Sequence, residues 1–224
     1  MIGPAINDGL TLKTTGREHM NFFSRAALAA IALFVAGQAS AASISYFLDE
    51  SNDLAGGVNY AQVTISDGIG GNIDFKVEVI QSAFPSPLTN FGMQAFFFNY
   101  DQSLTVSKTN IVNIDPASWA ILEDKNAGGG FGKFQLEAAG SGSTRTSLLT
   151  FSISGVSGDT VNSYALGNAE MGEFFAAHIA GYDASVSGNT SGKFAGSTAV
   201  PVPAAVWLFG SALGMLAWSR RRAV

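Results

Sequence analysis

The heptapeptide Ile73-Asp74-Phe75-Lys76-Val77-Glu78-Val79 alternates a large apolar residue with a charged one at every step. Successive side chains of a strand point to opposite faces, so the run sets Ile73, Phe75, Val77 and Val79 on one side and Asp74, Lys76 and Glu78 on the other. A helix would scatter the same residues around its circumference; the segment reads as a strand with one buried and one wet face. Runs of the same kind are Ile44 to Leu48, Tyr60 to Ser66, Phe91 to Tyr100, Trp119 to Leu122, Phe131 to Ala138, Leu148 to Ser154 and Phe174 to Tyr182, giving about eight strands. Asp67-Gly68-Ile69-Gly70-Gly71-Asn72 joins two of them with residues that tolerate positive φ and predicts a hairpin. With no capped helical pattern between the strands, the expected fold is all-β, a single antiparallel β-sandwich of jelly-roll-like winding.

The chain has no cysteine, which removes disulfides, thiolate metal ligands and cysteine nucleophiles. Stability has to come from packing and backbone pairing. Between Ala42 and Ala199 six basic residues face fifteen acidic ones, and 6 − 15 gives a formal charge of −9. Such a surface repels nucleic acid, which is excluded as a partner.

The two ends carry a different message. Met20-Asn21-Phe22-Phe23-Ser24-Arg25 reads as a short basic leader, Ala26 to Ala36 as its apolar centre and Ala39-Ser40-Ala41 as a small-residue cleavage site. Residues 20–41 are therefore expected to be a signal peptide, cut so that the mature chain begins at Ala42; an uncleaved anchor is the competing reading. Residues 1–19 read as an upstream extension, either untranslated or without a core-forming pattern. At the other end, Ala204 to Trp218 holds only apolar and small residues besides Ser211, and Arg220-Arg221-Arg222 follows. A hydrocarbon core of about 30 Å needs roughly 20 helical residues, so a helix over about 203–219 spans with help from its edges. Trp207 and Trp218 sit near the two ends of the run, and the arginines mark the cytoplasmic side and stop transfer. The domain of residues 42–198 would then face outward.

Val200-Pro201-Val202-Pro203-Ala204, the following Trp207-Leu208-Phe209-Gly210-Ser211 and the terminal arginines together resemble the PEP-CTERM sorting signal of residues 199–224, closest to its Val-Pro-Leu-Pro-Ala (VPLPA-CTERM) variant. The resemblance covers only about the last twenty-five residues. It implies export by a Gram-negative bacterium that makes extracellular polysaccharide, with signal peptidase and an exosortase as processing partners. The exosortase is a membrane transpeptidase thought to cut near the prolines. Val202 stands where the Pro-Glu-Pro form has glutamate, so the exosortase subtype is left open.

Chemistry-bearing residues in the domain are few. His178 is the sole histidine after the leader and alternates to the face opposite Phe175, Ala177 and Ile179, with no Gly-x-Ser-x-Gly elbow to accompany it. Asp49, Glu50 and Asp53 cluster after the first strand, and Asp67 and Asp74 flank the glycine turn; such oxygens suit calcium, although no EF-hand spacing occurs. No transition-metal site is expected. Paired carboxylates could alternatively serve a glycosidase. By strict alternation Phe91, Met93, Ala95 and Phe97 share the inner face of their strand, leaving Phe96, Phe98 and Tyr100 on the other, as sugar-stacking rings or beneath a covering loop. Asn126 to Gly132 lacks the Lys-Ser/Thr of a phosphate loop and reads as a flexible connector, as do Ser141-Gly142-Ser143 and Ser185 to Gly192. Gly196-Ser197-Thr198 reads as a tether. The sequence thus points to an exported, membrane-held and then surface or extracellular-matrix protein with a non-enzymatic structural role in a biofilm. A polysaccharide-binding module and a glycan-active enzyme are the alternatives.

Overall fold

The structure is a computed structural model that describes residues 42–200. The signal peptide, Ala39, Ala41, Pro201 to Ala204, the apolar tail and Arg220 to Arg222 lie outside the described residues. Within them run twelve strands: β1 (Ser43–Leu48), β2 (Glu50–Ser51), β3 (Ala61–Asp67), β4 (Ile73–Val79), β5 (Gly92–Phe98), β6 (Ile111–Asp115), β7 (Ala120–Asn126), β8 (Lys133–Ala139), β9 (Leu148–Ile153), β10 (Phe175–Ala180), β11 (Ser191–Gly196) and β12 (Thr198–Ala199). They form two six-stranded sheets of order β12-β1-β3-β4-β9-β6 and β2-β11-β10-β5-β8-β7, every pairing antiparallel. The only helices among the described residues are four short 3₁₀ turns, and none is long and apolar enough to cross a membrane. The architecture is an antiparallel β-sandwich.

Alternation builds the core as expected. Val63 and Ile65 from β3, Phe75 and Val77 from β4, and Leu149 and Phe151 from β9 meet Phe96, Phe98, Leu136, Phe175 and Ile179 from the opposite sheet. Phe75 bridges the layers, stacked on its neighbour Phe151 at 4.6 Å between ring centroids and lying 5.1 Å from Phe98 across the gap. Burying rings of this size is the main stabilising contribution, beyond which each aromatic pair adds about 0.5–1.5 kcal/mol. The β3–β4 hairpin forms with Asp67 opposite Ile73, its turn carried by Gly70 and Gly71 at φ 75° and 81°.

Four strands escape the sequence reading, β2, β6, β11 and β12. The first and last pairs make the corner of the sandwich. Tyr46 faces Ala199 and Phe47 faces Thr198 in one sheet, while Glu50 faces Ala195 and Ser51 faces Phe194 in the other, a single antiparallel register carried from sheet to sheet. The supposed tether Gly196-Ser197-Thr198 is thus the bend of a paired strand. A β-carbon on Gly196 would overlap the Phe47 carbonyl and come within 2.9 Å of Asp49 Oδ1, so only glycine lets the two backbones meet there. Exposed edges are blunted in two ways: β2 and β12 are two residues long, and β7 is almost wholly exposed with Glu123, Asp124 and Lys125 along it.

The chain enters β1 at Ser43 and leaves after β12 at Val200, whose amide donates to the Ser45 carbonyl over 2.8 Å. The strands are antiparallel neighbours, so both ends of the domain depart from the same end of one sheet.

Candidate functional site

The aromatic strand β5 corrects one sequence expectation. Phe96 and Phe98 are fully buried between the sheets and unavailable to a sugar, whereas Phe97 and Ala95 face the outer side of their sheet. The cause is a bulge: Ala95 pairs with His178 and Met93 with Ile179, which leaves Gln94 as an extra residue. One inserted residue reverses the parity, so Met93 shares the core with Phe96 and Phe98 instead of with Phe97.

The outer side is nonetheless covered. Phe97, Ala95, Ala176 and Ala195 lie under Ala127, Phe131 and Phe134, a second small core. The glycine-rich segment Asn126 to Gly132 is therefore an ordered flap and not merely a flexible connector. Its amide of Gly128 donates to Asn126 Oδ1 over 2.7 Å, and Asn168 Nδ2 donates to the Phe131 carbonyl over 2.6 Å. At Gly129, φ is +65° and a β-carbon would lie 2.8 Å from Lys193 Cβ, so the flap seats by close backbone approach.

Beside this flap, on the same outer face, His178 is half-buried, with Gln94 Nε2 donating to its Nδ1 over 2.7 Å. Gln94 Oε1 in turn accepts from Arg145 Nε over 3.1 Å. Burial, then the positive charges of Lys193 and Arg145, push His178 down to about 4, so the ring is neutral at pH 7 and can accept from the amide. Across the strands, burial holds Glu137 above the usual carboxylate range against the opposing pull of Lys125 and Lys193. Burial likewise lowers Lys193, with Glu137 opposing.

The carboxylates singled out in the sequence are spread over separate tasks. Asp53 accepts from Tyr182 Oη at 2.6 Å, Ser187 Oγ at 2.7 Å and Asn189 Nδ2 at 2.6 Å, fastening the loop after β10 to the first strands. Its burial alone would raise its pKa, but these three bonds lower it overall. Asp49 accepts from Thr198 Oγ1 at 2.8 Å, Asp67 from the Ala42 amide at 2.8 Å, and Asp74 from Ser152 Oγ at 2.7 Å. Among the described residues no three histidine or carboxylate side chains converge as metal ligands. Glu173, which no sequence pattern marked, is buried at 9 % exposure with Oε2 lacking a hydrogen-bond partner. Burial, then Glu50 and Asp49, holds it above the usual carboxylate range.

Of the three rings proposed for sugar contact, Tyr100 alone lines a groove, which has a volume of about 500 Å³ at the end of β5. Its walls are pinned by amides: Tyr100 N donates to Gln135 Oε1 at 2.7 Å, Gln135 N to Asn99 Oδ1 at 3.2 Å, and Asn99 Nδ2 to the Leu166 carbonyl at 3.2 Å. Around them stand Asp101, Gln102, Asp124 and Lys133. Asp101 and Gln102 follow Tyr100 directly but carry no pattern of their own, and Asp124 and Lys133 come from other parts of the chain, brought in by the β5–β8 and β7–β8 pairings. A smaller hollow of about 310 Å³ lies on the other sheet around Asp74, Lys76, Asn113 and Ser152.

In comparisons with protein families, with curated proteins and with solved structures, no family model, no curated protein and no solved structure matches the chain.

Proposed function

We propose that this chain is an exported surface or extracellular-matrix protein, held at the inner membrane by its C-terminal helix and handed on by an exosortase, with a non-enzymatic structural role. The observation that carries this reading is the pairing of β1 with β12, by which Ala42 and Val200 leave the same end of one sheet. The sequences read as signal peptide and as PEP-CTERM-type signal continue from these two residues, so both can address one membrane. The jelly-roll-like winding belongs to this proposal too, supported by the first and last strands, which both step from sheet to sheet.

Replacing Pro201 and Pro203 by alanine tests it. The variant is expected to accumulate as an unprocessed membrane form, while the native chain is shortened and released. Identical processing of both on a gel would count against the proposal.

A second reading, a polysaccharide-binding module, is favoured by the groove lined by the half-buried Tyr100 together with amide and charged residues. It predicts retardation of the protein in gels containing the exopolysaccharide of the source bacterium.

A further inference from the structure

We propose that the groove at the end of β5 binds a non-anionic glycan chain, uncharged or amino-bearing; the inference rests on the polysaccharide-binding reading and supplies its site and its sugar class. The volume of about 500 Å³ falls among those of small-ligand sites, which span roughly 300–1,000 Å³.

The lining divides into groups that build the walls and groups that remain for a ligand. Asn99 and Asn168 are consumed by the fold: Asn99 joins Gln135 to Leu166, and Asn168 Oδ1 accepts from the amides of Met171 and Gly172 while its Nδ2 reaches Phe131. Three stretches of chain are thereby locked into one rigid rim. By contrast, Lys133, Gln102 and Asp124 line the groove with no side-chain hydrogen bond among the described residues. A donor-only cation, a two-way amide and an acceptor-only carboxylate beside Tyr100, half-buried against the core, and the exposed Leu166 make the mixture that sugar hydroxyls and an apolar sugar face require. The polar groups lie separately over a lining that is more apolar than polar, the mixture that a sugar's hydroxyls and ring face meet.

Asp124 carries a further mark. It is a non-glycine residue at φ 52° within β7, a conformation that costs free energy and that concentrates at functional positions. Charge fixes the sugar class. Asp101 and Asp124 outnumber Lys133 in the groove, and the domain as a whole carries fifteen acidic against six basic residues, so carboxylated or sulfated chains are repelled. Hydroxyl or ammonium groups of the sugar donate to Asp124 and to Asp101, whose Oδ1 already accepts from the Ser103 amide over 2.8 Å.

The test uses the full chain in detergent micelles, in affinity electrophoresis against the source bacterium's exopolysaccharide, with cellohexaose, a chitosan hexamer, oligogalacturonate and hexalysine as competitors. Variants are Lys133→Ala and Asp124→Gly, the latter removing the carboxylate while suiting the left-handed backbone. Retardation of the native chain is expected, relieved by cellohexaose or the chitosan hexamer but not by oligogalacturonate, and weakened about tenfold in either variant. Competition by oligogalacturonate or hexalysine alone, or by no competitor, overturns the proposal. Equal retardation of native chain and variants overturns the groove while leaving polysaccharide binding intact, and no retardation of the native chain removes both.

Discussion

Val200 and Ser45 are joined by a backbone hydrogen bond of 2.8 Å, one step beyond the Tyr46 to Ala199 pair. The last described residue is thereby tied to the strand that opens the domain. Such a bond is worth about 0.5–1.5 kcal/mol net, so its importance is directional more than energetic. It sets the exit of the chain beside its entrance, with the body of the sandwich on one side of both.

The entrance itself predicts a maturation effect. The Ala42 nitrogen lies 2.8 Å from Asp67 Oδ2, and cutting after Ala41 turns that amide into an ammonium group. Asp67→Asn is expected to lower the melting temperature of the processed protein slightly, by a contribution of at most about 1 kcal/mol, and to leave the precursor nearly unchanged. Equal shifts in both forms, measured by calorimetry, would refute it.

At the corner, Gly196→Ala places a methyl group against the Phe47 carbonyl. Backbone must move to admit it, and a loss of about 1–3 kcal/mol is expected in urea unfolding. Native-like stability would mean the sheets are joined otherwise.

Phe98→Ala empties a fully buried position packed against both Phe75 and Phe151. The expected cost is about 3–5 kcal/mol of stability. Loss of glycan binding with stability unchanged would restore the exposed placement that strict alternation suggested.

His178 predicts sensitivity to acid. Its folded pKa of about 4 is below the ordinary 6.5, so its contribution to stability is complete above pH 6.5 and is lost as the pH falls toward 4. Over that window the native chain should lose stability relative to His178→Gln, by at most about 1.4 kcal/mol per pH unit. Parallel pH profiles of melting temperature would contradict this.

Glu173 has the opposite sign. Its folded pKa lies above the ordinary 4.5, so stability is present below that pH and is lost as the pH rises through the raised value. Glu173→Gln keeps the shape and removes the buried charge beside Glu50 and Asp49. A gain of about 1 kcal/mol at pH 7–8, vanishing near pH 4, is expected by thermal unfolding; a loss at pH 8 would show that the ionised carboxylate is needed.

Strands with large alternating side chains, such as β4 and β9, could be read from sequence because burial on one face writes itself into the pattern. β11 could not: Ser191-Gly192-Lys193-Phe194-Ala195-Gly196 is paired on both sides yet sets only Lys193 and Phe194 among small residues, since the flap and the Phe47 backbone crowd it. The Gln94 bulge was equally silent, and it reversed the assignment of Phe96 and Phe98. Of the groove, only Tyr100 was legible, because Asp124 and Lys133 meet it through pairings that no local spacing encodes.

The most direct test of export and double processing is the intact mass and N-terminal sequence of the protein recovered from membrane and medium. A chain beginning at Ala42, present whole in the membrane and shortened near Pro201 to Pro203 in the medium, is the expected result. A cytosolic chain that still carries both Met20 and Arg220 to Arg222 would contradict the account.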